Sequence, residues 1–279
     1  MSRRHRRGSR RARGQAMLKA ALLAASVLVV LVGLAGHLPG SSGFQAEKVS
    51  QPTATPVTSA FDETVGSREI TLPEDTWYAI QTGVYSTKEA AESRTALYAD
   101  RGAPGYAAQD DGKWRVFIAC YGEKGDAANV QERLNTTQKV ETHLHTWVAP
   151  AVTLRLSGMA GQLDVAESGL MMPGQTALLL RDAAIALDAG ESSVKRAQQT
   201  VQSLGDTAVL WAKTARLRFT APYPDVITEV LRFADAWAER YPALLRLEDA
   251  TALSAQLKQC AMYAYDEQVA LRLHLLAQE

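Results

Sequence analysis

At 279 residues and 47% apolar, the chain has room for one or two ordinary domains with real cores. Its formal net charge of zero joins two unlike parts: residues 1–19 carry seven arginines and Lys19 with no acid, leaving 22 basic against 30 acidic residues in the remainder. An acidic body argues against nucleic acid as a partner, because polyphosphate binding runs on concentrated cationic charge.

The basic tail (1–19) is followed by an apolar run from Ala20 to Leu38, with no charge before Glu47. That run is close to the ~20 residues a helix needs to span a bilayer. Basic residues flank it on one side only, which places the tail in the cytoplasm and the bulk outside, as a single-pass protein of the cell membrane. A cleaved signal peptide is the alternative, since Gly33 and Ala35 are small enough for a peptidase. Residues 39–73 are rich in Ser, Thr, Pro, Gly and Gln and have no helical or strand period, which predicts a disordered linker. As a flexible coil, some 35 residues would reach roughly 30–35 Å.

A compact module is expected over 74–150. WYAIQTGVY alternates, placing Tyr78, Ile80 and Thr82 on one face and Trp77, Ala79, Gln81 and Gly83 on the other. Thr87–Arg101 has helical spacing, with Ser86 or Thr87 as N-cap and Gly102 closing it. Tyr106–Gln109 and Lys113–Tyr121 form a hairpin through Asp110-Asp111-Gly112. In the return strand Trp114, Val116 and Ile118 share one face, and Lys113, Arg115 and Phe117 the other. Asp126 caps a second helix to about Gln138, and Val140–Val148 closes the sheet. The expected fold is α+β: a βαββαβ four-stranded sheet with two helices on one face and the other face open, because right-handed crossovers put both helices on one side.

These residues resemble the SPOR domain, a peptidoglycan-binding module of bacterial cell-division and sporulation proteins. The likeness rests on IQTGVY, on WRVFIACY and on the KGDA that opens the second helix; Ala119-Cys120 stands where members usually carry Gly-Pro. It implies a non-catalytic protein that recognises denuded glycan strands. The positions matching the family's binding face are Gln81 and Arg115. Gly83, Lys113 and Phe117 join them as candidate ligand-binding residues. Planar amides and guanidinium forks suit a ligand made of hydroxyls and acetamides.

Residues 151–279 predict an all-α bundle of unassigned role. VTLRLSG comes first as one more strand paired to the module's edge, then helices over about Met159–Gly169, Gln175–Ala189, Ser192–Phe219, Pro224–Tyr241 and Glu248–Ala277. An alternative function is an envelope scaffold whose helical half recruits a division or wall-remodelling protein. No catalytic motif and no metal-spaced His/Cys cluster is present, so neither an enzyme nor a cofactor is expected; His143 and His145 alternate on one strand without a third ligand. Cys120 and Cys260 read as free core thiols, with a disulfide as the alternative.

Overall fold

A computed structural model describes residues 65–99 and 103–278. The expected basic tail, membrane segment and Gly102 helix stop lie outside the described residues, as does the linker up to residue 64. Among the described residues no helix is long and apolar enough to cross a membrane.

The elements are β1 (Val65–Leu72), β2 (Asp75–Tyr85), α1 (Lys88–Ala99), β3 (Tyr106–Asp110), β4 (Lys113–Tyr121), α2 (Lys124–Thr136), β5 (His143–Ala149), β6 (Val152–Met159), α3 (Ala160–Asp188), α4 (Val194–Arg218), α5 (Asp225–Leu244) and α6 (Ala250–Leu276). Strands β2 to β5 form one antiparallel sheet in the order β3-β4-β2-β5, as the βαββαβ reading requires. Helices α1 and α2 both cover one face, where Ile80, Val116 and Ile118 pack with Ala91 and Tyr98 of α1 and Val130 and Leu134 of α2. Thr87 caps α1, its Oγ1 accepting from Ala90 N at 3.3 Å. Helix α2 begins at Lys124, so Asp126 lies within its first turn rather than at the cap, where it still complements the helix dipole.

Three expectations are corrected. The linker was to run to residue 73, but Val65–Leu72 forms β1 and pairs antiparallel with β6 from Val65↔Met159 to Leu72↔Val152. Ile70 and Leu72 are buried, and Arg68 donates to Asp164 and Glu167 of α3 at 2.8 and 2.7 Å. The strand after Pro150 therefore forms a separate ribbon with β1 and does not extend the sheet. Next, α3 is one helix of 29 residues running through Pro173, where the punctuation predicted two. Gly169 is there for close approach: a Cβ would stand 2.3 Å from the Trp211 ring.

The third correction concerns the sheet's second face, which is not left open to solvent. Helix α6 packs across it, and Trp77, Phe117 and Trp147 join the bundle residues Leu180, Phe233, Trp237 and Tyr265 in one continuous core. The described residues fall in one compact unit. The cysteines are free and buried. Burial pushes the Cys120 thiol up to about 12 and the Cys260 thiol to about 11.

Candidate binding face

The register places side chains of the second face in rows running across the strands. Trp147 and Trp77 form the first row, His145, Ala79 and Cys120 the second, and His143, Gln81, Phe117 and Tyr106 the third. Val84, Arg115 and Ala108 make the fourth, and Lys113 and Asp110 the last. Helix α6 occupies the first rows. The Tyr265 ring stacks on Trp77 with centroids 4.3 Å apart and meets Trp147 edge-on at 5.2 Å. Its hydroxyl proton is shared between the carbonyls of Asp75 (2.8 Å) and Trp147 (2.9 Å). Arg181 of α3 lies over the Trp77 ring. The aromatic end of the face is thus consumed by intramolecular packing.

The remaining half is polar. Arg115 Nη1 donates to Gln81 Oε1 at 3.0 Å, and its Nε donates to Asp110 Oδ2 at 2.6 Å. His145 Nε2 stands 3.5 Å from the same Asp110 oxygen. Burial, then the Arg115 charge, pushes the His145 pKa down, against the pull of Asp110 and Asp111. The imidazole is therefore neutral at neutral pH, and its approach to Asp110 is not an ion pair. Phe117 lies beneath, stacked on His145 and Trp147 at 5.4 and 5.0 Å.

Of the five candidate ligand residues, the structure brings Gln81 and Arg115 into direct contact, with Gln81 itself buried at 7% exposure. Lys113 is exposed at the far end of the same face. Phe117 is on this face but only 1% exposed, so it is the floor beneath the polar groups and offers no ring to a ligand. Gly83 lies on the other face. The β2–β4 ladder slips twice, between Ile80 and Gln81 and between Gln81 and Gly83, so Gly83 pairs with Val116 beneath the helices. A Cβ there would stand 2.7 Å from the Tyr85 hydroxyl, which fits a packing role. Strict alternation from Gln81 placed it on the binding face, and an inserted residue reverses that parity.

Two members of the cluster were not anticipated. Asp110 reads in sequence as a turn residue, and His145 as one of an idle pair. An arginine two strand positions from a hairpin acid was the available signal, since Arg115 and Asp110 flank one short turn.

Residues 74–141 match the SPOR domain family. SPOR domains are peptidoglycan-binding modules of cell division, and they bind rather than catalyse. The match covers about a quarter of the chain and ends before β5, so His143, His145 and the helical half lie beyond it. Comparison with curated proteins and with solved structures gives no match. The Gln81–Arg115 contact falls inside the SPOR segment; Gln81 is buried and the Arg115 side chain is 19% exposed.

Proposed function

We propose that this chain is a membrane-anchored, non-catalytic peptidoglycan-binding protein that recognises denuded glycan strands at sites of cell division or sporulation, with the bulk of the chain outside the membrane. The observation that carries the reading is the match of residues 74–141 to the SPOR family, with Gln81 and Arg115 joined on the sheet that the match covers. A guanidinium has five donors in a fixed fork, more than the contacts to Asp110 and Gln81 consume, and those contacts hold the fork in place before a ligand arrives. Ordering is then already done, which lowers the cost of binding. Glycan hydroxyls, acetamide carbonyls and lactyl carboxylates are all acceptors for such a fork. The uncharged residues 20–38, flanked by arginines on one side, support the anchor.

The test is retention on purified wall sacculi with and without amidase treatment. Retention of the chain should rise after amidase trimming. The Gln81→Ala/Arg115→Ala double variant should lose it by about 30-fold or more, since a hydrogen bond to a charged group is worth roughly 1.5–3 kcal/mol. Unchanged retention of the double variant would overturn the site, and no retention of the wild type would overturn the function. The scaffold reading keeps one specific observation in its favour: α4 exposes Val209, Leu210 and Leu217, at 48%, 45% and 77%.

A further inference from the structure

A second polar site lies in the seam between the sheet and the helical half, away from Gln81 and Arg115. A cleft of about 460 Å³ is bounded by the turn that joins β1 to β2, by α3 and by the last turns of α6. Its volume falls within the roughly 300–1,000 Å³ of small-ligand sites. It meets β2 at Asp75–Trp77, so roughly 20 Å of extended strand separates Asp75 from Gln81.

The floor of the cleft holds polar groups that the fold leaves unmatched. Gln268 and Arg272 are 5% and 6% exposed, and both line it. Gln268 Oε1 and Arg272 Nε are sealed from solvent and have no hydrogen-bond partner. Such atoms are rare in folded proteins, because each has lost its hydration without a replacement bond. Arg272 Nη1 donates to the carbonyls of Pro73, Ala149 and Pro150, which hold the guanidinium in place. Among the described residues Arg272 forms no ion pair, so its charge is buried without a carboxylate beside it.

Arg181 adds a second guanidinium. Its Nε and Nη2 donate to Asp182 Oδ1 at 3.2 and 3.0 Å, and its Nη1 lies against Gly122, where a Cβ would stand 2.8 Å away. Glu74 and Asp75 also line the cleft, so its charged residues sum to zero. Leu170, Met171 and Leu178 of α3 supply apolar wall.

This set selects among ligand classes. A phosphate or sulfate would bring multiple negative charge to a neutral cleft that already holds two acids. A sugar ring would need an open aromatic face, and Trp77 is 2% exposed beneath Tyr265. A peptide end offers a carboxylate for guanidinium nitrogens, an amide N–H for the Gln268 carbonyl and a small side chain for the leucines.

We propose that this cleft binds a short peptide by its free C-terminal carboxylate, held by Arg272 and Arg181, with Gln268 accepting from the peptide's last amide N–H. Because the orphaned atoms are sealed, entry requires side chains at the mouth to swing, and Met171, 36% exposed, is flexible enough to do so. The site stands apart from the glycan reading, and sacculus retention is a separate measurement, so failure of either leaves the other in place.

The probe is N-acetyl-dialanine, in L,L and D,D forms, titrated calorimetrically into the full-length chain, with its C-terminal amide and inorganic phosphate as controls. The free acid should bind at least about tenfold more tightly than the amide, and phosphate should not compete. Tighter binding of the D,D form would assign the peptide to the wall, and of the L,L form to a protein terminus; both bear out the site. Gln268→Met keeps the length of the side chain and removes the orphaned oxygen. It should weaken the free acid at least about tenfold, while the urea midpoint of the ligand-free chain stays equal or rises because an unpaired polar atom is gone. Equal binding of acid and amide, no binding at about 10 mM peptide, or displacement by phosphate would overturn the proposal. So would a lower urea midpoint for Gln268→Met, since the amide would then be satisfied within the fold or by water.

Discussion

Asp266 offers a stability test of the seam between α6 and the sheet. Burial raises its carboxyl pKa to about 6, with Glu267 and Asp110 adding to the rise and the Tyr106 hydroxyl opposing it. The unfolded chain titrates this group near the ordinary 3.8, so between those values the folded state holds the extra proton. Stability therefore falls as pH climbs from about 4 to about 6, and above that the ionised carboxylate weakens the fold by a constant amount. The gap between the two values corresponds to about 3 kcal/mol at 1.36 kcal/mol per pH unit. Solvent at the partly exposed edge of the helix reduces the expected effect to about 1–2 kcal/mol. Asp266→Asn keeps an oxygen to accept from Tyr106 and removes the charge. In urea denaturation the variant should be more stable than wild type by that amount at pH 7.5, with the difference closing at pH 4. Equal stability at both pH values, or a loss at pH 7.5, would refute the burial argument.

Two further substitutions probe the packing. Tyr265→Phe should cost about 1–2 kcal/mol by removing the hydroxyl from two buried carbonyls, and Tyr265→Ala about 3–5 kcal/mol by emptying the space above Trp77. Because sheet and bundle share one core, both variants should melt in a single transition followed by tryptophan fluorescence and circular dichroism alike; two separate transitions would contradict the shared core. Gly83→Ala pushes only the far end of the half-buried Tyr85 side chain aside and should cost no more than about 1 kcal/mol in urea denaturation, whereas a loss above about 3 kcal/mol would show that the backbone must move.

The sheet was readable because each strand carried a period of two and each joint carried a turn signal. Its order and the helix-covered face followed from the handedness of crossovers. Other features were hidden for identifiable reasons. The double slip near Gln81 leaves no compositional mark, so Gly83 was assigned to the wrong face by parity alone. Strand β1 lacks clean alternation, since Gly66, Ser67, Arg68 and Glu69 are largely exposed and only Ile70 and Leu72 reach the core. Pro173 and the glycines of α3 look like breaks, yet packing against Trp211 and α6 keeps that helix whole. The docking of α6 depends on contacts between residues more than a hundred positions apart, such as Tyr265 with Trp147, which no local pattern announces.

That docking also determines what kind of binding the site can perform. Trp77 and Trp147 are the rings with which a sheet would stack a sugar, and Tyr265 and Arg181 already occupy them. Phe117 is sealed beneath His145. The accessible chemistry is therefore a small set of hydrogen bonds around the partly exposed Arg115, with Gln81 buried beside it, and without the apolar area that gives tight carbohydrate sites their affinity. A few such bonds, each worth about 0.5–3 kcal/mol, correspond to a weak single contact. On the proposed reading, a polymer compensates by presenting the same unit many times, and the proposed anchor would hold the chain near it at high local concentration.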